Sequence, residues 1–205
     1  ARARELPLFE VPYDLPFIAI TETAFSRLVN EQYAILRRAI AAHERLERIV
    51  LAERGLDAVV GALATLIAGA VLVFDGRGAL MARRHFRAVV DDATVDALAD
   101  ELRARTRADA ELGRAPRSFA PTAPELAGRA LALPVGAAGP AVEAGPRDAS
   151  PPPQAWLVAA KDQGGLGELD RLTLHQAVTI VALELLRRRV AEDTERRLAG
   201  DVLSA

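Results

Sequence analysis

Three histidines, four serines and no cysteine are all that this chain offers as general bases, hydroxyl nucleophiles and soft metal ligands. His43, His85 and His175 are dispersed, and no His-Glu-x-x-His pair sets two imidazoles one helical turn apart. None of Ser26, Ser118, Ser150 or Ser204 sits in a Gly-x-Ser-x-Gly elbow, so hydrolytic acyl chemistry lacks its nucleophile. Gly164-Gly165-Leu166-Gly167 stands between an apolar run and a helical pattern, where backbone amides and a helix dipole can hold an anion. It has neither the Lys-Ser/Thr of a phosphate loop nor the third glycine of a dinucleotide fingerprint, and it reads as a plain turn. The expectation is a protein that binds rather than catalyses, with no metal and no cofactor.

The remaining composition narrows the partners. A net charge of -2 gives no excess of cations to follow a phosphate backbone, so this segment by itself is not expected to grip nucleic acid. Arg187-Arg188-Arg189 followed by Glu192, Asp193, Glu195, Arg196 and Arg197 alternates blocks of sign, as a solvated helix face carrying ion pairs does. The richest apolar run, Val178 to Leu186, contains Glu184 and stops at three arginines, well short of the roughly 18 residues a membrane span needs. No secretory leader pattern is present, and the lack of cysteine suits a reducing compartment, so a cytoplasmic protein without membrane contact is expected. The only methionine is Met81 and the sequence starts at Ala1, so an excised or processed piece of a longer protein is expected.

A 205-residue chain that is 51% hydrophobic can bury one good core with a helical extension. Prolines at 7, 12 and 16 forbid a continuous helix at the start, whereas Thr21 to Arg54 has neither Pro nor Gly and predicts a single long helix ended by Gly55. Along it Phe25, Val29, Gln32, Leu36, Ala39, His43, Leu46 and Val50 alternate spacings of four and three, the seam of a coiled coil. Leu28, Ile35, Ala42 and Ile49 on one side, with Tyr33 and Ile40 on the other, widen that stripe to suit a four-helix bundle. A homodimer is expected, its interface drawn from Phe25, Val29, Leu36, Ile40, His43, Leu46 and Val50 together with Leu183, Leu186 and Val190 of the last helix.

Further along, Leu56 to Ala68 predicts a buried helix, and Ala70 to Phe74 a strand joined by Asp75-Gly76-Arg77-Gly78 to a second strand in a β-hairpin. Val95, Leu98, Ala99 and Leu102 behind Asp91 give a short amphipathic helix ending near Arg107. ELAGRALALPV and AWLVAAKD read as two more strands flanking a Gly/Ala/Pro-rich loop, and a long helix closes the chain from about Glu168. The order predicts an α+β fold, an antiparallel sheet flanked by helices. Phe74, Arg84, Phe86, Arg103, Phe119 and Trp156 lie at strand ends or between elements, and are the candidate lining of a small-molecule pocket.

Three stretches taken together resemble the purine-catabolism-regulator (PucR-type) family of transcription factors. LPLFEVPYDLPFIAITETAFSRLVNEQYAILRRA resembles the end of that family's amino-terminal domain and its connecting helix. GLDAVVGALATLIAGAVLVFDGRGAL resembles the opening of a GAF-like sensor fold, and LDRLTLHQAVTIVALELLRRRVAEDTERRLAGDVL its last helix leading toward a helix-turn-helix. The resemblance implies residues 1–20 as the tail of a preceding domain, 21–54 as a dimerisation helix and 55–205 as a GAF-like domain with a six-stranded or similar sheet. It also implies an unidentified small-molecule effector, and DNA contact only through a helix-turn-helix beyond these residues. The Asn-Lys-Phe-Asp-Glu pattern of cyclic-nucleotide GAF domains and the bilin-attaching cysteine are both missing. Effector binding would act by shifting the population of two helix packings; the alternative is a structural dimerisation scaffold that senses nothing.

Overall fold

The computed structural model describes residues 11–12, 16–51, 55–87, 89–136 and 153–203. The elements are α1 (Phe17–Leu51), α2 (Gly55–Ile67), β1 (Gly69–Asp75), β2 (Leu80–His85), α3 (Asp92–Glu111), β3 (Ala130–Val135), β4 (Ala155–Lys161) and α4 (Glu168–Leu203), with a short 3-10 turn at Pro124–Leu126. The chain divides into two units, Ala1–Arg38 and Ala39–Ala205, and the sheet lies wholly in the second.

All three strand pairings are antiparallel and the order is β2-β1-β4-β3, which makes this an α+β fold. Four strands form the sheet among the described residues, against the six or so implied by the family resemblance. The two central strands are the two sequences without polar interruption, GAVLVFD and AWLVAAK, buried on both faces up to their final charged residue. Edge strand β2, LMARRH, spreads its arginines over both faces and keeps only Ala82 buried. Edge strand β3 is buried almost throughout because the chain at Phe119 bridges to Ala132 along its outer side.

Strand alternation sorts the apolar residues into two cores. One face carries Val71, Val73, Leu131, Leu133, Leu157 and Ala159, packed with α2 and with α4 residues Leu174 to Leu185. The other carries Leu72, Phe74, Ala132, Trp156 and Val158, packed with Val95, Leu98, Ala99 and Leu102 of α3. β1 and β4 approach so closely that a Cβ on Gly69 would overlap the Ala160 carbonyl oxygen, which excludes every other residue there.

The hairpin forms as its turn chemistry predicts. Asp75 Oδ1 accepts from the backbone N–H of Arg77 at 2.9 Å and of Ala79 at 2.7 Å, and Gly78 takes a φ of +78°. Asp91 caps α3 by accepting from Thr94 N at 2.8 Å, yet that helix runs on to Glu111, past the expected end at Arg107. α1 begins four residues before Thr21, directly after Pro16, because a proline at a helix start loses no helical hydrogen bond. ELAG contributes to the 3-10 turn rather than to β3, and Gly128 at φ +71° turns the chain into the strand. The extended start expected over residues 1–20 gives way to helix from Phe17; its residues 1–10 and 13–15, like most of the Gly/Ala/Pro-rich loop, 137–152, lie outside the described residues.

Candidate functional site

On the α3 side of the sheet the register sets Phe74 opposite Trp156, and both side chains are fully buried. The Trp156 indole N–H donates to Thr106 Oγ1 at 3.1 Å, so its one polar atom is satisfied inside the core. Phe119 packs edge-on against the indole, with ring centroids 5.6 Å apart at 78°, and the Arg105 guanidinium lies 4.1 Å from the Phe119 centroid. The segment bearing Phe119 is fastened twice. Its backbone exchanges hydrogen bonds with Ala132 at 3.0 and 2.8 Å, and Glu101 accepts from Thr122 N at 3.0 Å. The result is an aromatic stack whose inner two rings are core and whose outer ring is half-buried under an arginine.

The six candidate pocket residues therefore divide. Phe74, Trp156 and Phe119 come together on the α3 face; Arg103 lies on the same helix, against the hairpin at Gly78, and pairs with Asp100. Arg84 points to the opposite face, where it pairs with Asp57 of α2 at 3.0 Å. Phe86 stands just beyond β2, 40% exposed, with Arg87 stacked 5.4 Å from its ring. Phe74 and Trp156 have no accessible surface, so a ligand reaches neither ring unless a covering element moves. Sequence reasoning missed Thr106, Arg105 and Glu101. Thr106 was legible as the next member of the buried row Leu98, Leu102, whereas nothing in the sequence ties Glu101 to an amide 21 residues on.

The glycine turn before α4 is closed by the chain's own groups. Asp170 accepts from Gly167 N at 2.8 Å and pairs with Lys161, the only lysine, at 2.6 Å, with both side chains largely shielded. The Arg129 guanidinium donates to the carbonyls of Asp162 and Glu125, holding the 3-10 turn to the end of β4. A notch of about 110 Å³ lies beside these residues, lined by Val90, Thr94, Leu126 and Lys161 among others. A larger cleft of about 240 Å³ opens at the other end of the sheet, between the hairpin and α4. No cluster of three or more His, Asp or Glu side chains able to hold a metal ion occurs among the described residues.

The helices carry the other predicted surface. On α1, Phe25 is 71% exposed and Leu36 54%, with Val29 and Ile40 exposed between and beyond them. On α4, Leu183, Leu186 and Val190 face solvent. The side chains of His43, Leu46 and Val50 lie outside the described residues.

No family model and no curated protein matches the sequence. Among solved structures, the chain is similar to the GAF domain of a sensor histidine kinase from Pseudomonas syringae pv. tomato, with 15% identity over 84% of this chain and 98% of that one and a TM-score of 0.46. It is also similar to the gliding protein MglB of Thermus thermophilus, with 19% identity over 74% of this chain and 90% of that one and a TM-score of 0.38. No helix among the described residues is long and apolar enough to cross a membrane.

Proposed function

We propose that this chain is the sensory and dimerising segment of a PucR-type transcriptional regulator, with residues 55–205 as a GAF-like domain, two long helices that pair with a second copy, and no enzymatic activity. The observation that carries the reading is the exposed apolar stripe of α1. Phe25, Leu28, Val29, Tyr33, Leu36 and Ile40 are each between 46% and 71% exposed on a helix whose seam repeats at 3.5 residues. Apolar surface of that extent marks an interaction face, and the period specifies a helical partner. The family resemblance of the flanking helices supports the regulatory role, with DNA contact made by a helix-turn-helix outside these residues and the protein in the cytoplasm.

The effector site in this reading is the α3 face, opened by displacement of the Phe119 segment. That segment belongs to no strand or helix and is held by one isolated bridge, by Glu101 on Thr122 N and by the Phe119 ring contacts, which makes it a candidate for local opening. The full burial of Phe74 and Trp156 favours a second reading, a scaffold that dimerises without sensing. Light scattering coupled to size exclusion tests the shared premise. The chain is expected to be a dimer and a Val29→Lys/Leu36→Lys variant a monomer; a monomeric parent sinks both readings. Trp156 is the sole tryptophan, so its emission separates them: an effector entering the α3 face shifts it, and a scaffold leaves it unchanged across a metabolite panel.

A further inference from the structure

We propose that the cleft between α4 and the hairpin end of the sheet binds a free α-amino acid with an aliphatic side chain; this rests on the sensory reading above and names a ligand class at a second place, away from the α3 face. The cleft measures about 240 Å³, with Met81 and Leu185 as its apolar lining. That is below the ~300 Å³ at which pockets for drug-sized ligands begin, and it suits a molecule of amino-acid size.

Its polar lining is two cations, Arg188 and Arg189, and two anions, Asp75 and Glu192, with the Gln154 amide. The charges balance, so a simple anion or cation gains nothing overall, whereas a zwitterion is attracted at both ends. Arg188 spends Nε on Glu192 at 2.9 Å, which leaves its terminal nitrogens, and exposed Arg189 has no ion pair among the described residues. A guanidinium offers paired donors to a carboxylate, so the arginines hold the ligand's carboxylate. The turn amides of Arg77 and Ala79 both fall on Oδ1 of Asp75. Its Oδ2 is left for the ligand's ammonium group, with the Glu192 carboxylate, whose Oε1 holds Arg188 and whose Oε2 lies 3.9 Å from Arg196, as the second anion, and the side chain lies on Met81 and Leu185.

The position gives such binding a consequence. Leu185 is the last buried residue described on α4, and beyond it the helix's described residues are exposed or half-buried. Asp75 and Gln154 belong to the sheet end, Arg188 and Arg189 to α4. A ligand bridging them stabilises only those packings in which this part of α4 keeps its present direction, which is the differential affinity that a switch requires.

Isothermal titration of the full chain with L-leucine tests this, alongside N-acetyl-L-leucine and L-leucine methyl ester, each of which deletes one charge. Saturable binding of L-leucine is expected, weakened about ten-fold or more by either cap, by Arg189→Ala and by Glu192→Gln, and unchanged by Phe119→Ala. Both α4 substitutions lie outside the two cores, and circular dichroism checks that the variants remain folded. No saturable heat with millimolar L-leucine overturns the proposal, as does binding that survives Arg189→Ala or that the acetylated ligand matches. These outcomes leave the sensory reading standing on the dimer and Trp156 emission measurements, whose failure is scored separately.

Discussion

The two faces of the sheet are built from different materials. The face toward α2 and α4 is mostly aliphatic, a packing of Val, Leu, Ile and Ala. The face toward α3 carries the large rings, ends in a half-buried Phe119, and puts its polar contacts at the rim: Trp156 to Thr106, Arg105 on Phe119, Glu101 on Thr122 N. A largely aliphatic layer, interrupted by the buried Glu184 of α4 near the start of α2, holds the two helices to the sheet. A ring stack closed by an arginine and one loop can open at its outer layer while the inner rings keep their places. The difference teaches where this domain can change without unfolding.

The largest effect expected is from Trp156→Ala, which removes the biggest core side chain and should cost about 3–5 kcal/mol in urea unfolding followed by far-ultraviolet circular dichroism. A loss under about 1 kcal/mol would mean that the α3 face is not a true core. Leu63→Ala on the α2 face should cost about 2–5 kcal/mol while leaving Trp156 emission in the native state unchanged; an altered emission would show the two faces to be coupled. Thr106→Val keeps the shape and orphans the buried indole N–H, at about 1–3 kcal/mol. Hydrogen exchange should then rise in the Phe119 segment before it rises in β1 and β4, and uniform exchange would contradict the layered picture.

The smallest effect is a pH dependence at the start of α3. Hydrogen bonds from the Thr94 hydroxyl and from its backbone N–H hold the Asp91 carboxyl below the ordinary carboxylate range. A depressed folded-state value means that its contribution is present above the unfolded value, about 3.9, and is lost as pH falls through the folded one. Asp91→Asn keeps a capping acceptor without the charge, so its stability should fall less steeply on acidification than the parent's, measured by thermal melts across the acid limb.

Much of this architecture was legible in the residues. β1 and β4 were legible as strands because each runs without a polar residue up to its final Asp75 or Lys161; that they are the central pair came from the structure. The hairpin was legible because Asp75 and Gly78 supply the acceptor and the positive φ that its turn demands. Helix ends were less so: α3 continues past Arg107 on exposed helix-forming residues that carry no stop signal until Gly113. The candidate pocket was half legible. Aromatic type singled out Phe119, Trp156 and Phe74 alike, but sequence could not separate the half-buried Phe119 from the two buried rings, since burial depends on which strand each meets.

What the sequence by itself determined is the list of elements, their amphipathic faces and the small stock of chemically reactive side chains, because period, turn chemistry and residue type act locally along the chain. Only the tertiary structure decided that Phe74 and Trp156 are opposed across β1 and β4, that Arg84 faces α2 rather than the aromatic stack, and that Arg188 and Asp75 share one cleft. Those are relations between residues tens of positions apart, fixed by strand register and by where each helix leaves the sheet, and no local pattern encodes them.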